Sequence, residues 1–244
     1  MNNAFAGERG LQYDRRWMIT RPDNTFITQR EIPVMSLVRT ALHDDGIHVF
    51  LKNDPTNKIV LPFETDGEKV KSVVFSDTVD AVHYNAVADE WISDALKSPC
   101  RFIYMPDDAV RAVDANYAHN NENVSFADGF PYLIIGTSTL QDLNQRLEEP
   151  LPMNRFRPNF VFSEGTPFEE DQWKDFTIGN VAFRAVKPCG RCAITTVNQD
   201  TAEQGKEPLK TLATYRTFNN KVLFGMNVLA LSHGEVNIGD TIYI

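Results

Sequence analysis

The chain has 244 residues, of which 42% are hydrophobic and 23% charged, enough for one large or two small hydrophobic cores. No apolar run approaches the ~20 residues that a bilayer span needs, and the opening Met1-Asn2-Asn3-Ala4-Phe5-Ala6-Gly7-Glu8 lacks the basic and then apolar pattern of a secretory signal. The expectation is a cytoplasmic protein with no membrane partner. A net charge of −9 argues against general nucleic-acid binding, which draws its affinity from cations that neutralise phosphates.

Short strands are predicted through the first eighty residues. Arg16-Trp17-Met18-Ile19-Thr20 and Phe26-Ile27-Thr28-Gln29 flank the turn-like Pro22-Asp23-Asn24. Leu37-Val38-Arg39-Thr40-Ala41-Leu42 and Ile47-His48-Val49-Phe50-Leu51 flank Asp44-Asp45-Gly46, and residues 70–75 and 79–84 add two further strand-like runs. Over residues 85–98, Val87, Trp91, Ile92 and Leu96 fall near helical spacing, with Pro99 as a stop. Residues 106–123 read as a loop. A second helix is predicted over 137–147, with Ser138 as N-cap and Leu140, Leu143 and Leu147 on one face.

The strand pattern then returns in Asn159-Phe160-Val161-Phe162, in Phe176-Thr177-Ile178 turning at Gly179-Asn180 into residues 181–186, in residues 193–197 and in 227–231. Residues 234–244 suggest two short strands around a Gly-Asp turn. The predicted fold is mainly β with a few helices (α+β): a β-barrel-like N-terminal region, 1–84, and a β-rich region, 85–244.

Chemistry concentrates in Lys187-Pro188-Cys189-Gly190-Arg191-Cys192, followed by Thr195-Thr196. Neighbouring cations favour thiolate, the form that attacks electrophiles or ligates soft metals. Half a zinc site, a redox pair and two thiols filling a core are the alternatives. Zinc lacks a second Cys pair or a His-x3-5-His spacing. A thioredoxin-like pair normally opens a helix, whereas this one runs into Ile194-Thr195-Thr196-Val197. In Arg155-Phe156-Arg157-Pro158-Asn159, strand alternation places both guanidinium groups on one side, suited to an oxyanion, unless they merely pair with Glu148, Glu149 or Glu169. Tyr13-Asp14-Arg15-Arg16-Trp17 also invites two readings, contact with an anion or a salt bridge from Asp14 that merely fixes a strand end. The five histidines are scattered, and no phosphate-binding Gly-rich loop or hydrolase motif is present.

Read in order, these clusters resemble the MOSC family, in the branch that joins an N-terminal β-barrel domain to a MOSC domain and includes the YcbX-like proteins and the mitochondrial amidoxime-reducing component. The stretches that carry the resemblance are residues 10–17 and 26–30, then Phe126-Ala127-Asp128-Gly129-Phe130-Pro131 leading to 138–144. Arg155-Phe156-Arg157-Pro158-Asn159, 168–173, Ile178-Gly179, 188–197, Glu207-Pro208-Leu209 and Leu223-Phe224-Gly225 complete it.

The resemblance implies a MOSC N-terminal domain over 1–84 and a MOSC domain over 85–244. It also implies a molybdenum cofactor, molybdenum on a pterin dithiolene, with Cys192 as metal ligand and catalytic residue and Cys189 as a non-ligand neighbour. Arg15, Arg16, Arg155, Arg157, Asn159, Arg191, Thr195 and Thr196 are the implied cofactor-binding residues. The implied activity is reduction of small N-oxygenated compounds. The rival is a sulfur- or cofactor-carrier module that uses Cys192 without turnover. Pyridoxal phosphate binding accompanies the family as a further expectation.

Two departures stand out. The family pattern opens with a strand ending in a Pro-x-Lys-Ser-like segment that precedes residue 1 here, so either the start is truncated or one wall of the cofactor site is missing. The family's Val-Asp-Pro-like continuation is Val197-Asn198-Gln199-Asp200. A ferredoxin-like cysteine cluster is also absent, so the electrons are expected from a separate ferredoxin- or flavoprotein-type donor.

Overall fold

Apolar and polar residues alternate along much of the chain, and most of those runs become strands. The structure, a computed structural model, describes residues 2–244. Its first elements are β1 (Asn3–Gly7), β2 (Gly10–Leu11), β3 (Trp17–Thr20), β4 (Val38–His43), β5 (Gly46–Leu51), β6 (Asp54–Leu61), β7 (Lys69–Val74) and β8 (Asp77–His83), followed by α1 (Ala86–Leu96) and β9 (Arg101–Tyr104). Next come β10 (Tyr132–Gly136), α2 (Thr137–Asn144), β11 (Phe160–Phe162), β12 (Asp175–Ile178) and β13 (Val181–Gly190). The last are α3 (Leu209–Ala213), β14 (Thr217–Phe218), β15 (Lys221–Ala230), β16 (Gly234–Asn237) and β17 (Ile242–Tyr243). The protein is mainly β with a few short helices.

Two compact units divide the chain. The first comprises Arg16–Arg111 and Val197–Gly205, and the second the remaining described residues. A cut at residue 84 falls inside the first unit, between β8 and α1.

In the first unit, β3-β9-β8-β7 and β4-β5-β6 form two antiparallel sheets. Their apolar faces and α1 enclose Ile27, Val49, Leu61, Tyr84, Ala88, Ile92 and Phe102. Helix α1 starts where the Asn85 side chain accepts from the Ala88 N–H at 2.9 Å and ends at Lys97, in the left-handed region at φ 53. Ala88, Ile92 and Leu96, four apart, are its buried positions: Ile92 and Leu96 are as expected, whereas Val87 is 69% exposed, Trp91 is half-buried and Ala88 takes the inward place. Residues 26–29 are not a strand. They make a single bridge, Thr20↔Phe26, before the Glu31 and Ile32 N–H groups turn back onto the Thr28 carbonyl.

In the second unit the main sheet has the order β11-β10-β15-β13-β12-β17, with β14 paired to β15, and a smaller sheet has the order β16-β1-β2. β10 carries no alternation because both its faces are buried: Tyr132 and Ile134 enter one core with Phe176, Phe183 and Val228, while Leu133 and Ile135 enter another with Leu143, Phe156 and Phe224. Gly225, at φ 77, lets β15 lie against β10, since a Cβ there would sit 2.6 Å from Ile135 Cγ1.

Helix α2 forms where it is expected but ends earlier, at Asn144, and has a different start. Its N-cap is Gly136, with no capping side chain, and Ser138 Oγ is buried without a partner. The buried carboxylate of Glu170 serves the helix start instead, accepting from the Gly136 N–H at 3.3 Å and the Thr139 hydroxyl at 2.9 Å. A cap supplied by a residue so distant in sequence leaves no local signature.

Candidate functional site

The Cys-x-x-Cys segment ends the long strand β13. β13 pairs with β15 in shifted register, with irregularities between Ala185 and Lys187 and between Pro188 and Gly190, where a proline costs the ladder little. Beyond it the Arg191 N–H donates to the Val222 carbonyl at 2.7 Å. Residues 193–197, expected as a strand, instead form the 3-10 turn Ala193–Thr196. The Thr195 hydroxyl donates to the Cys192 carbonyl at 3.0 Å and the Thr196 hydroxyl to the Ala193 carbonyl at 2.8 Å. Threonine side chains that satisfy carbonyls three residues back compete with a strand ladder. Here they close a tight turn around Cys192.

The two thiols have different surroundings. Cys189 packs against the core of Leu133, Phe156 and Phe224, and Arg191 Nη1 donates to its sulfur at 3.1 Å. Cys192 is half-buried and is not among the residues packed on that core.

The Arg155-Phe156-Arg157 stretch is not extended, so alternation does not operate. Arg155 closes a 3-10 turn, Met153–Arg155, and Arg157 has φ 57. The two side chains consequently have different fates. Arg155 is buried and donates to the Thr195 carbonyl at 2.9 Å and the Glu207 carbonyl at 3.2 Å, tying the turn after Cys192 to the segment before α3. Burial lowers its pKa. Arg157 keeps solvent access, yet desolvation by surrounding protein lowers its pKa to about 10, with Arg15 and Arg191 pushing the same way and Asp14 opposing. It remains a cation at neutral pH, in a setting that disfavours its charge.

Arg15 meets Arg157 through the backbone: its Nη2 donates to the Arg157 carbonyl at 3.1 Å, and its Nη1 binds Asp14. Asp14 also accepts from Asn159 Nδ2 at 2.7 Å, while Asn159 Oδ1 accepts from the Leu133 N–H at 3.1 Å. Asn159 is thereby a clip between β10 and Asp14. Arg15 and Arg157 both have positive φ, 52 and 57, a conformation that costs non-glycine residues about 1–2 kcal/mol each and that concentrates at functional sites. Arg16 belongs to the other unit, where it donates to the Met105 carbonyl and lies 2.7 Å from Asp107.

Arg191 completes the group. Its Nη2 donates to the Phe156 carbonyl at 2.7 Å and its carbon lies 5.6 Å from the Phe156 ring centre, while its Nε is buried with no partner. Among the described residues, no carboxylate lies within ion-pair distance of Arg155, Arg157 or Arg191, and Arg157 registers the repulsion of Arg15 and Arg191. Like charges gathered with a donor left over suit an anion rich in acceptors. Among the same residues no group of three or more His, Cys, Asp and Glu could hold a metal, so a zinc site has no further ligands to draw on.

Asp14 pairs with Arg15, the salt-bridge reading that its sequence cluster offered. The Phe156 ring and the carbonyls of Thr195, Glu207 and Val222 were not singled out from sequence, because a carbonyl's role leaves no trace in residue type.

Two family models match most of the chain. Residues 1–99 match the MOSC N-terminal beta barrel domain and residues 121–243 the MOSC domain. Mitochondrial amidoxime-reducing component 1 of Homo sapiens is 30% identical over 256 residues, covering 99% of this chain and 75% of that protein. Mitochondrial amidoxime reducing component 2 of Rattus norvegicus is 31% identical over 252 residues, covering 96% and 74%. Molybdenum cofactor sulfurase of Oryza sativa subsp. japonica is 29% identical over 249 residues, covering 93% of this chain but only 30% of that protein. The chain belongs to the MOSC domain family, in the form that also carries the MOSC N-terminal β-barrel domain.

Proposed function

We propose that this protein holds a molybdenum cofactor with Cys192 as the metal's thiolate ligand and reduces small N-hydroxylated compounds with electrons from a separate donor protein. The observation that carries this reading is the cluster of arginines without carboxylate partners beside the Cys189–Cys192 segment. A soft thiolate suits molybdenum, and guanidinium groups suit the phosphate and oxygen-rich pterin of such a cofactor. The unpartnered Nε of Arg191 provides a donor with no protein acceptor.

When bound, the cofactor would supply the two-electron reduction of an N–OH group, which takes up two protons, one left on nitrogen and one leaving with the hydroxyl as water. The chain's own residues bind and orient. In this reading Arg157 and Arg191 face the cofactor's negative charge, with Arg15, already held by Asp14, beside them. Arg155 fixes the Cys192 turn through the Thr195 carbonyl, and the Thr195 and Thr196 hydroxyls hold that turn closed. Asn159 acts through Asp14, which keeps Arg15 in place. Arg16 receives no role in contacting the cofactor.

The similarity to the rice sulfurase favours one rival, a carrier module that uses Cys192 without turnover. Protein from a molybdenum-replete host, assayed with a chemically reduced viologen and a simple amidoxime, separates the two. The proposal expects amidine formation together with bound molybdenum and pterin. Cofactor without amidine, or persulfide on Cys192, would assign the protein to the carrier reading, and absence of both metal and pterin would sink both.

A further inference from the structure

The hairpin of β14 and β15 turns at Asn219 and Asn220, both at positive φ (47 and 60), and is tied to the Cys-x-x-Cys segment. Gly190 pairs with Leu223, Arg191 bonds Val222, and the Lys221 side chain runs 3.5 Å from where a Gly190 Cβ would stand. Any protein that touches this hairpin therefore lies against the segment carrying Cys192.

The charge here departs from the rest of the chain. Lys206, Lys210 and Lys221 are exposed, and Lys206 and Lys210 lie four apart, joined by a backbone hydrogen bond of 3.1 Å at the start of α3. Across residues 206–223 the one carboxylate is Glu207, and it is turned back to accept from the Thr211 N–H at 3.0 Å. Arg216, the remaining cation, is spent on Asp171 at 2.5 Å. Phe218, 66% exposed, stands at the hairpin tip. A protein of net charge −9 thus presents unpaired lysines around an exposed aromatic, the composition of an anchor with a charged rim.

We propose that this face, α3 with the β14–β15 hairpin, is the docking surface for an acidic electron-carrier protein, with Phe218 as apolar anchor and Lys206, Lys210 and Lys221 as the complementary rim. This rests on the proposed reductive function, since an electron donor has to approach the segment that holds the metal. Charge complementarity favours it: in a chain of net charge −9, residues 206–223 carry four cations and one carboxylate, a face suited to an acidic carrier. Rim charges of this kind steer encounter and fix orientation, and their effect fades with salt.

The test uses the holoprotein with an acidic ferredoxin and an acidic flavodoxin as probes, comparing the unmodified chain with a Lys206→Glu/Lys210→Glu/Lys221→Glu triple variant and with Phe218→Ala. Binding is read by calorimetry, independently of turnover, and amidoxime reduction is driven either by the reduced probe or by a reduced viologen. The expected result is that at least one probe binds, that binding weakens about tenfold or more in the triple variant and with rising salt, and that viologen-driven turnover stays within about twofold. Binding that ignores the substitutions overturns the docking surface, as does failure of both probes to bind. Uptake onto phosphatidylglycerol vesicles instead would give the face to a lipid surface, and a lysine-dependent dimer would give it to a second copy. If viologen drives no turnover in the unmodified protein, the proposed reaction fails while the binding arm still decides the docking surface.

Discussion

The two units differ in one group of arginines: the second pairs Arg15, Arg146, Arg184 and Arg216 with aspartates, as the first pairs its own, but leaves three others without a carboxylate. In the first, Arg16, Arg39, Arg101 and Arg111 each lie within ion-pair distance of an aspartate: Asp107, Asp200, Asp89 and Asp77. In the second, Arg155, Arg157 and Arg191 have carbonyl, sulfur or no partners. Paired arginines hold a unit together. A cluster of cations without counter-charges costs the folded state and persists where a ligand supplies what the protein does not.

The sharpest way to break that contrast is at the thiols. Cys192→Ser exchanges a soft sulfur for a harder and far less acidic oxygen, so molybdenum content and amidoxime turnover should fall to background. Cys189→Ser removes a thiol that packs on a core and accepts from Arg191, so part of the activity should remain. Parallel assays of metal, pterin and turnover check this, and equal loss in both would favour a shared cysteine pair.

Next in size are the unpaired cations. Arg157→Asn should weaken pterin retention about tenfold or more, the worth of one charged hydrogen bond. The ligand-free protein should melt no lower than the unmodified one, because asparagine tolerates positive φ and the repulsion from Arg15 and Arg191 is gone. Arg111→Met should do the reverse. It breaks a 2.8 Å pair with Asp77 whose arginine side chain is 4% exposed, lowering stability by about 1–3 kcal/mol without changing pterin content. Thermal melts with and without cofactor separate the two patterns.

The smallest effect concerns pH. Burial raises the Glu170 pKa, so its folded value exceeds the unfolded one. The neutral acid is favoured in the fold, and that contribution is present at low pH and lost as pH rises through the raised value. Melting curves from pH 5 to 8 should show Glu170→Gln gaining on the unmodified protein as pH increases. A constant difference across that range contradicts the account.

Much of the fold was legible because the sequence signal was local. The hairpins of β4 with β5 and β12 with β13, and the helices α1 and α2, each lying within its expected span of 85–98 or 137–147, follow from periodicity and turn residues. β10 was not legible, since burial on both faces erases alternation, and the Cys192 turn was misread because Ile194-Thr195-Thr196-Val197 favours strand in isolation. The arginines could be suspected from clustering alone. That Arg155 ties down a turn while Arg157 stays open depends on a 3-10 turn and a positive φ that local sequence does not announce.

The central claim is that the unpaired arginines of the second unit await an anionic cofactor, whereas the paired ones of the first serve stability. Its most direct test measures pterin and molybdenum per chain in protein from a molybdenum-replete host, comparing the unmodified chain, an Arg157→Gln/Arg191→Gln variant and the paired-arginine control Arg111→Gln. The account predicts stoichiometric cofactor in the unmodified protein and in the control, with its loss in the double variant. Equal cofactor in all three, or none in the unmodified protein, would contradict it.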